Sequence, residues 1–308
     1  MHVPGFHRAV RTPHRHRAVD LTRWRRWGPG LLLVLPSIIL VAVFVYGLIG
    51  WNIKASLEAQ PLVNGPSGVE NYSRLWEEER WVRDLKNLGV FTAVFIVGSL
   101  VMGAFMALLL DKGVKGEGFF RSIYLFPMAV SFIAAGIVWR WLLNPSSGLN
   151  LILDKVGLDS FQSDWWQSTP PWGMAAMAMP AVWQMSGYIM ALYLAGFRGI
   201  PEELREAARM DGAKERQVYR FVVFPDLRPV TLSALVILGH ISIKVFDLIL
   251  AVSGKQGLTE TPAVYMWDLI FQASNRAKGA TVATILLLGV AVLIIPYLVY
   301  TVRSERQA

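Results

Sequence analysis

The chain has no cysteine among its 308 residues, which excludes disulfides and thiolate metal sites and leaves the redox compartment open. It has no Gly-x4-Gly-Lys-Ser/Thr phosphate loop. Gly254-Lys255 lacks both the upstream glycine and the following hydroxyl residue, so ATP hydrolysis by this chain is excluded. Gly-x-Ser-x-Gly, His-Glu-x-x-His and any close histidine and carboxylate set are absent as well, and the chain is not expected to be an enzyme. Acidic residues are scarce at the amino terminus, where residues 1–27 carry seven arginines and four histidines against Asp20 alone. Low-complexity tracts and fixed-period repeats are missing, and no loop is long enough to form a separate soluble domain.

What the chain has in quantity is apolar surface. Hydrophobic residues make up 54% of it, and six segments reach membrane-spanning length at about 1.5 Å per helical residue. They are approximately 28–50, 88–110, 120–143, 173–197, 230–252 and 279–302. The expected fold class is therefore an all-α polytopic membrane protein with six transmembrane helices. With the amino terminus inside, the cytoplasmic segments hold 19 Lys and Arg and the external ones 9, so both termini are expected in the cytoplasm. The basic tail 1–27 fits attraction to anionic lipid; a nucleic-acid arm or a metal site on His14 and His16 is not needed to explain its charge. Arg25-Arg26 before an apolar run imitates a twin-arginine signal, but the run is span-length and lacks a small-residue cleavage site, so it is read as an anchor.

The expected division is a tail at 1–27, a first span at 28–50, an external amphipathic loop at 51–86 and a core at 87–303 with a cytoplasmic loop at 198–229. In the external loop, Asn71, Tyr72, Leu75, Trp76, Trp81 and Leu85 recur at helical spacing. This predicts a segment lying on the membrane surface or meeting a soluble partner. Trp165-Trp166 and Pro170-Pro171-Trp172 suit an interfacial belt.

Ionisable groups within spans are costly and usually face a cavity or a partner. His240, Lys244 and Asp247 follow at i, i+4 and i+7 in the fifth span, which predicts one wet or paired helical face; Lys244 and Asp247 can neutralise each other there. In the fourth span Trp183, Gln184, Ser186 and Tyr188 combine an aromatic face with amide and hydroxyl groups. That set suits a sugar, and interhelical packing explains each residue taken alone.

The one highly charged segment between long apolar runs is 199–229, GIPEELREAARMDGAKERQVYRFVVFPDLRP. Pro201 suits a helix's first position, Glu202 and Glu203 suit its positive end, and Gly212 suits a left-handed stop. Glu206, Ala207 and Ala208 form a turn whose small side chains admit another protein's backbone, with one carboxylate for a charged hydrogen bond. A second amphipathic piece, 213–224, carries Tyr219, Phe221 and Val222 and is expected to stop at Pro225.

Glu206-Ala207-Ala208, three residues, Gly212, nine residues, Val222, one residue and Phe224-Pro225 resemble the EAA motif of bacterial ABC-importer permeases. That family has Ile and Leu where this chain has Val222 and Phe224, which keeps the face apolar. GVENY at 68–72, FFRSIYLFP at 119–127, IVWRWLLNP at 137–145 and FDLILAV at 246–252 are similar to permeases of carbohydrate ABC importers. Arg80-Trp81, Lys86-Asn87-Leu88, Ala181-Val182-Trp183-Gln184 and the run His240 to Lys244 look most like the glucose/mannose type. Lys255-Gln256-Gly257 replaces the family's Gly-Gly-Pro.

The resemblance implies a type I ABC importer permease fold in the bacterial inner membrane, with no cofactor of its own and ATP used by a partner subunit. It also implies a second permease subunit, two ATPase subunits, an extracytoplasmic sugar-binding protein and no nucleic acid. Onto this sequence it carries ATPase coupling at Glu206, Ala207, Ala208, Asp211, Gly212 and Pro225; the candidate substrate pathway is Trp183, Gln184, Tyr188, His240 and Lys244. Disaccharides and glycerol phosphate are alternative substrates within that reading. Outside it stand a proton-coupled transporter relaying through Lys244, Asp247 and His240, and a non-transporting scaffold.

Overall fold

The computed structural model describes residues 21–59, 67–254 and 257–305, so residues 1–20 of the basic tail, with His14 and His16, and the Lys255-Gln256 departure lie outside the described residues, while the last seven residues of the expected tail are already helical. Among the described residues every regular element is helical. The chain divides into two units, Met1–Trp51 and Asn52–Ala308. In the first, α1 (Leu21–Val41) passes through a π-helical turn at Ala42–Gly47 into α2 (Leu48–Ser56), whose last five residues belong to the second unit. Side chains from Leu32 to Leu48 are all exposed. A helix apolar on every side with nothing buried is suited to lipid, as expected of the first span.

The second unit begins with α3 (Glu70–Leu75) and α4 (Glu79–Asp111), followed by α5 (Glu117–Ala129), α6 (Phe132–Leu142) and the short α7 (Leu149–Lys155). Next come α8 (Trp172–Gly199), the charged-loop helices α9 (Glu202–Met210), α10 (Glu215–Val218) and α11 (Phe224–Asp226), then α12 (Arg228–Ile243), α13 (Asp247–Ser253), α14 (Pro262–Phe271) and α15 (Arg276–Glu305). The core is organised on α8, packed between α4, α5 and α12. Buried small and flexible side chains such as Ala178, Ala181, Met185 and Met190 let these neighbours approach. At Gly187 an added Cβ would lie 1.9 Å from the Tyr124 carbonyl oxygen, so only glycine permits α5 to cross α8 there.

Three helical stretches, Leu32–Ser56, α4 and α15, are long and apolar enough to cross a membrane, and two bent pairs raise the number to five. At 28 residues α8 is about 42 Å long and completes the expected six. Its lower apolarity follows from position, since 16 of its residues are buried against protein and need no affinity for lipid.

Two expected spans are not continuous helices. The third is α5 and α6, bent by 97° at Val130 and Ser131; Val130 is extended, and Ser131 restarts the helix by accepting the Ala134 N–H at 3.2 Å. The fifth ends at Ile243 and resumes at Asp247, so His240, Lys244 and Asp247 do not share one helical face. The external amphipathic segment also differs from expectation: Leu75 and Trp81 are 1% and 0% exposed, packed with Tyr265, Leu269 and Val282. The apolar faces of α14 and α15 cover what membrane surface was expected to cover, and Trp76 alone of these aromatics stays largely exposed. Trp166 is likewise buried, and the Trp165 indole N–H donates to Asn150 Oδ1 at 2.7 Å, so of the loop's tryptophans Trp172 alone is largely exposed.

Candidate functional site

The helix that carries the Glu206-Ala207-Ala208 turn is α9. Pro201 precedes it in extended conformation as the cap residue, one position earlier than expected, and Glu202 and Glu203 occupy its first turn. Its end is a Schellman motif: the Gly212 N–H reaches the Arg209 carbonyl and the Ala213 N–H reaches the Ala208 carbonyl, both at 3.0 Å. Gly212 sits at φ +84°, where other residues are strained. Arg209 ties the two helices of the loop by bonding Glu202 at 2.9 Å and Glu215 at 2.8 Å, and those partners, Glu215 foremost, hold its guanidinium pKa above the ordinary value. Pro225 does not stop the following piece; it lies inside α11, and the break falls at Leu227 with a 63° bend before α12.

With its ends fixed, α9 presents Glu206 and Ala207 to the outside, Ala208 being half-buried. Glu206 has no hydrogen bond or ion pair among the described residues, unlike Glu202 and Glu215. In the same loop Leu204, Met210 and Phe221 are 50%, 88% and 67% exposed. Exposed large apolar side chains and an unpaired carboxylate in one short loop are the composition of a contact surface. A groove of about 330 Å³ between Ala208, Asp211, Gly212 and Phe221 adjoins it.

Sequence reasoning missed what holds this helix to the bundle. Arg205, 8% exposed, points inward from α9; its Nη1 donates to Asp111 Oδ2 at 3.0 Å and its Nη2 to the Phe197 carbonyl at 2.7 Å. The Tyr219 hydroxyl donates to the same Asp111 oxygen at 2.5 Å. One carboxylate at the end of α4 thus gathers both sides of the loop. Arg205 lies inside the Glu202–Met210 charge pattern and looks solvated in sequence; its register, one residue before exposed Glu206, is the only local signal.

The two helix breaks are held by distant side chains. Gln184 Nε2 donates to the Val130 carbonyl at the first, and Thr261 Oγ1 donates to the Val245 carbonyl at the second at 3.1 Å. Non-helical backbone at membrane depth needs such partners. Gln184 is 3% exposed, so its placement is structural, and its Oε1 is buried without a partner. Trp183 is half-buried and its ring lies 6.0 Å from that of Trp139 on α6; Tyr188 and His240 are half-buried, with His240 Nδ1 unpartnered.

Beside the second break is a half-open pocket of about 270 Å³ lined by Phe132, Ile241, Lys244, Val245, Phe246, Asp247 and Leu248. Lys244 and Asp247 are exposed and form no ion pair, with each other or otherwise, among the described residues; the break carries them off the common face on which pairing was expected. Lys244 stands at the negative end of α12 and Asp247 at the positive end of α13. Each helix end returns roughly 0.3–1 kcal/mol.

Outside the spans, Arg80 joins Glu260 at 2.6 Å and Asp268 at 2.9 Å, and the Tyr265 hydroxyl donates to Glu78 at 2.6 Å. Burial foremost, then Glu78, pushes the Tyr265 phenol pKa up. This network ties the start of α4 to α14 and to Glu260 just before it.

Residues 99–306 match the family of binding-protein-dependent transport system inner membrane components. A probable ABC transporter permease protein of Pyrococcus horikoshii is 40% identical over 90% of this chain and 97% of its own. A xylose/arabinose import permease protein of Haloferax volcanii is 32% identical over 85% of this chain and 84% of its own. Among solved structures, a bacterial alginate ABC transporter in complex with alginate pentasaccharide-bound periplasmic protein superposes with a TM-score of 0.76. It is 20% identical and covers 93% of this chain and 97% of that one, which supports the fold.

Proposed function

The chain belongs to the family of binding-protein-dependent transport system inner membrane components, the permease subunits of ABC importers, and from that premise we propose that it moves a sugar inward by alternating access driven by a separate ATPase. It is a multi-pass inner-membrane protein, and permease subunits of this family are not enzymes. The observation that carries the drive mechanism is α9: an exposed Glu206 and Ala207 on a helix closed by Gly212 and bolted inward by Arg205. A partner pushing on that face moves α4 and α8 with it, because Asp111 and the Phe197 carbonyl belong to those helices. Closure of an ATPase pair would rock the bundle to admit sugar from outside, and hydrolysis would return it.

The partners proposed are a second permease subunit, two ATPase subunits and an extracytoplasmic sugar-binding protein, with both termini of this chain cytoplasmic. Trp183, Tyr188, His240 and Lys244 are proposed to border the pathway, with Gln184 shaping it from behind. The sugar is proposed to be a monosaccharide: the motifs look like the glucose/mannose type, and a relative is named for xylose and arabinose. The proton-relay and scaffold alternatives account for neither the family match nor α9. The test is Glu206→Ala and Gly212→Ala in membranes holding the whole importer. Both are expected to insert normally and to lose ATPase association or uptake; normal uptake in both would remove the docking role.

A further inference from the structure

We infer that the pocket at the α12/α13 break is a subsite for an electrically neutral sugar ring, with Asp247 accepting its hydroxyls and Lys244 donating to it. This rests on the sugar-import reading and narrows it. The pocket holds one cation and one anion that do not pair with each other, so both are available to a solute. An aspartate carboxylate has two acceptor oxygens, which suits two neighbouring hydroxyls, and a lysine ammonium has donors only, which suits a ring or hydroxyl oxygen. Phe132 and Phe246 add aromatic surface for the C–H face of a sugar.

The break itself is fixed in place. Thr261 is fully buried and bonds the Val245 carbonyl between the two charges, and Ser242, also fully buried, bonds the Gly239 carbonyl at 2.8 Å. The geometry is therefore a built feature of the chain and not a frayed end. At about 270 Å³ the pocket lies just under the roughly 300–1,000 Å³ of drug-sized sites and accommodates a single ring within its walls. A carboxylated or phosphorylated sugar would gain Lys244 but bring its charge beside Asp247, and that like-charge contact costs what a neutral ring does not incur. The pair thus selects by charge as well as by hydroxyl pattern.

The test uses proteoliposomes carrying the complete importer with its binding protein. Uptake of radiolabelled glucose, mannose, xylose and glucuronate is measured alongside ATP hydrolysis, in wild type, Asp247→Asn, Asp247→Glu and Lys244→Met. Wild type is expected to take up at least one neutral sugar and to leave glucuronate outside. Asp247→Asn is expected to lower sugar delivered per ATP by ten-fold or more while hydrolysis stimulated by the binding protein persists; Asp247→Glu should recover part of the loss. Lys244→Met should show a smaller loss of the same kind. Neutral-sugar delivery per ATP unchanged by Asp247→Asn, or glucuronate taken up like glucose, overturns this inference alone. No uptake of any of the sugars by wild type overturns the monosaccharide-import reading and the subsite with it.

Discussion

Replacing Asp111 by alanine removes the one acceptor shared by Arg205 and Tyr219. The side chains of Arg205 and Asp111 are 10% and 6% exposed, so water does not take the lost partner's place. Arg205 would keep only the Phe197 carbonyl, and its Nε already has no partner. Breaking a buried ion pair by deleting one member costs roughly 3–5 kcal/mol. At about 1.4 kcal/mol per factor of ten, the docked fraction of α9 falls relative to the undocked by at least a hundred-fold. The assay is protease cutting in the 198–229 loop of the membrane-embedded importer, with sugar delivered per ATP measured on the same preparation. Asp111→Ala should expose the loop and lower the ratio, while the ATPase still binds through Glu206. The double variant Asp111→Leu with Arg205→Met should recover loop protection, because removing both charges is far milder than removing one. Wild-type protection and coupling in Asp111→Ala would refute the clasp.

Gly187→Ala places a Cβ 1.9 Å from the Tyr124 oxygen, so α5 and α8 must part; loss of folded protein in detergent by size-exclusion chromatography is expected, and a monodisperse wild-type-like peak would count against the crossing. Thr261→Val keeps the shape but leaves the buried Val245 carbonyl uncapped, at roughly 1–3 kcal/mol. It should lower the unfolding temperature and neutral-sugar uptake without changing ATPase association, which copurification checks.

The parts of this molecule legible in sequence are those governed by neighbours in the chain. Gly212, the first-turn acids and the exposed Glu206 face follow from local rules of helix ends, and the structure reproduces them with Pro201 one place earlier. The breaks at Val130 and Lys244 were not legible: the apolar run continues across the first, with Pro127 staying within α5, the charges at the second also fit one paired helical face, and the groups that make the breaks tolerable, Gln184 and Thr261, lie 54 and 16 residues away. The clasp between Asp111 and Arg205 spans 94 residues and was hidden for the same reason. Leu75 and Trp81 misled because helical spacing reports that a face is covered and does not say whether lipid or protein covers it.

Because the chain has no cysteine, a single introduced thiol reports one position without background. Ala207→Cys in the assembled importer, treated with a short bifunctional crosslinker in inside-out membranes, should join this chain to the ATPase subunit and resist an impermeant maleimide added to intact cells. Labelling from outside the cell, with no crosslink to any subunit, would contradict the claim that α9 receives the drive.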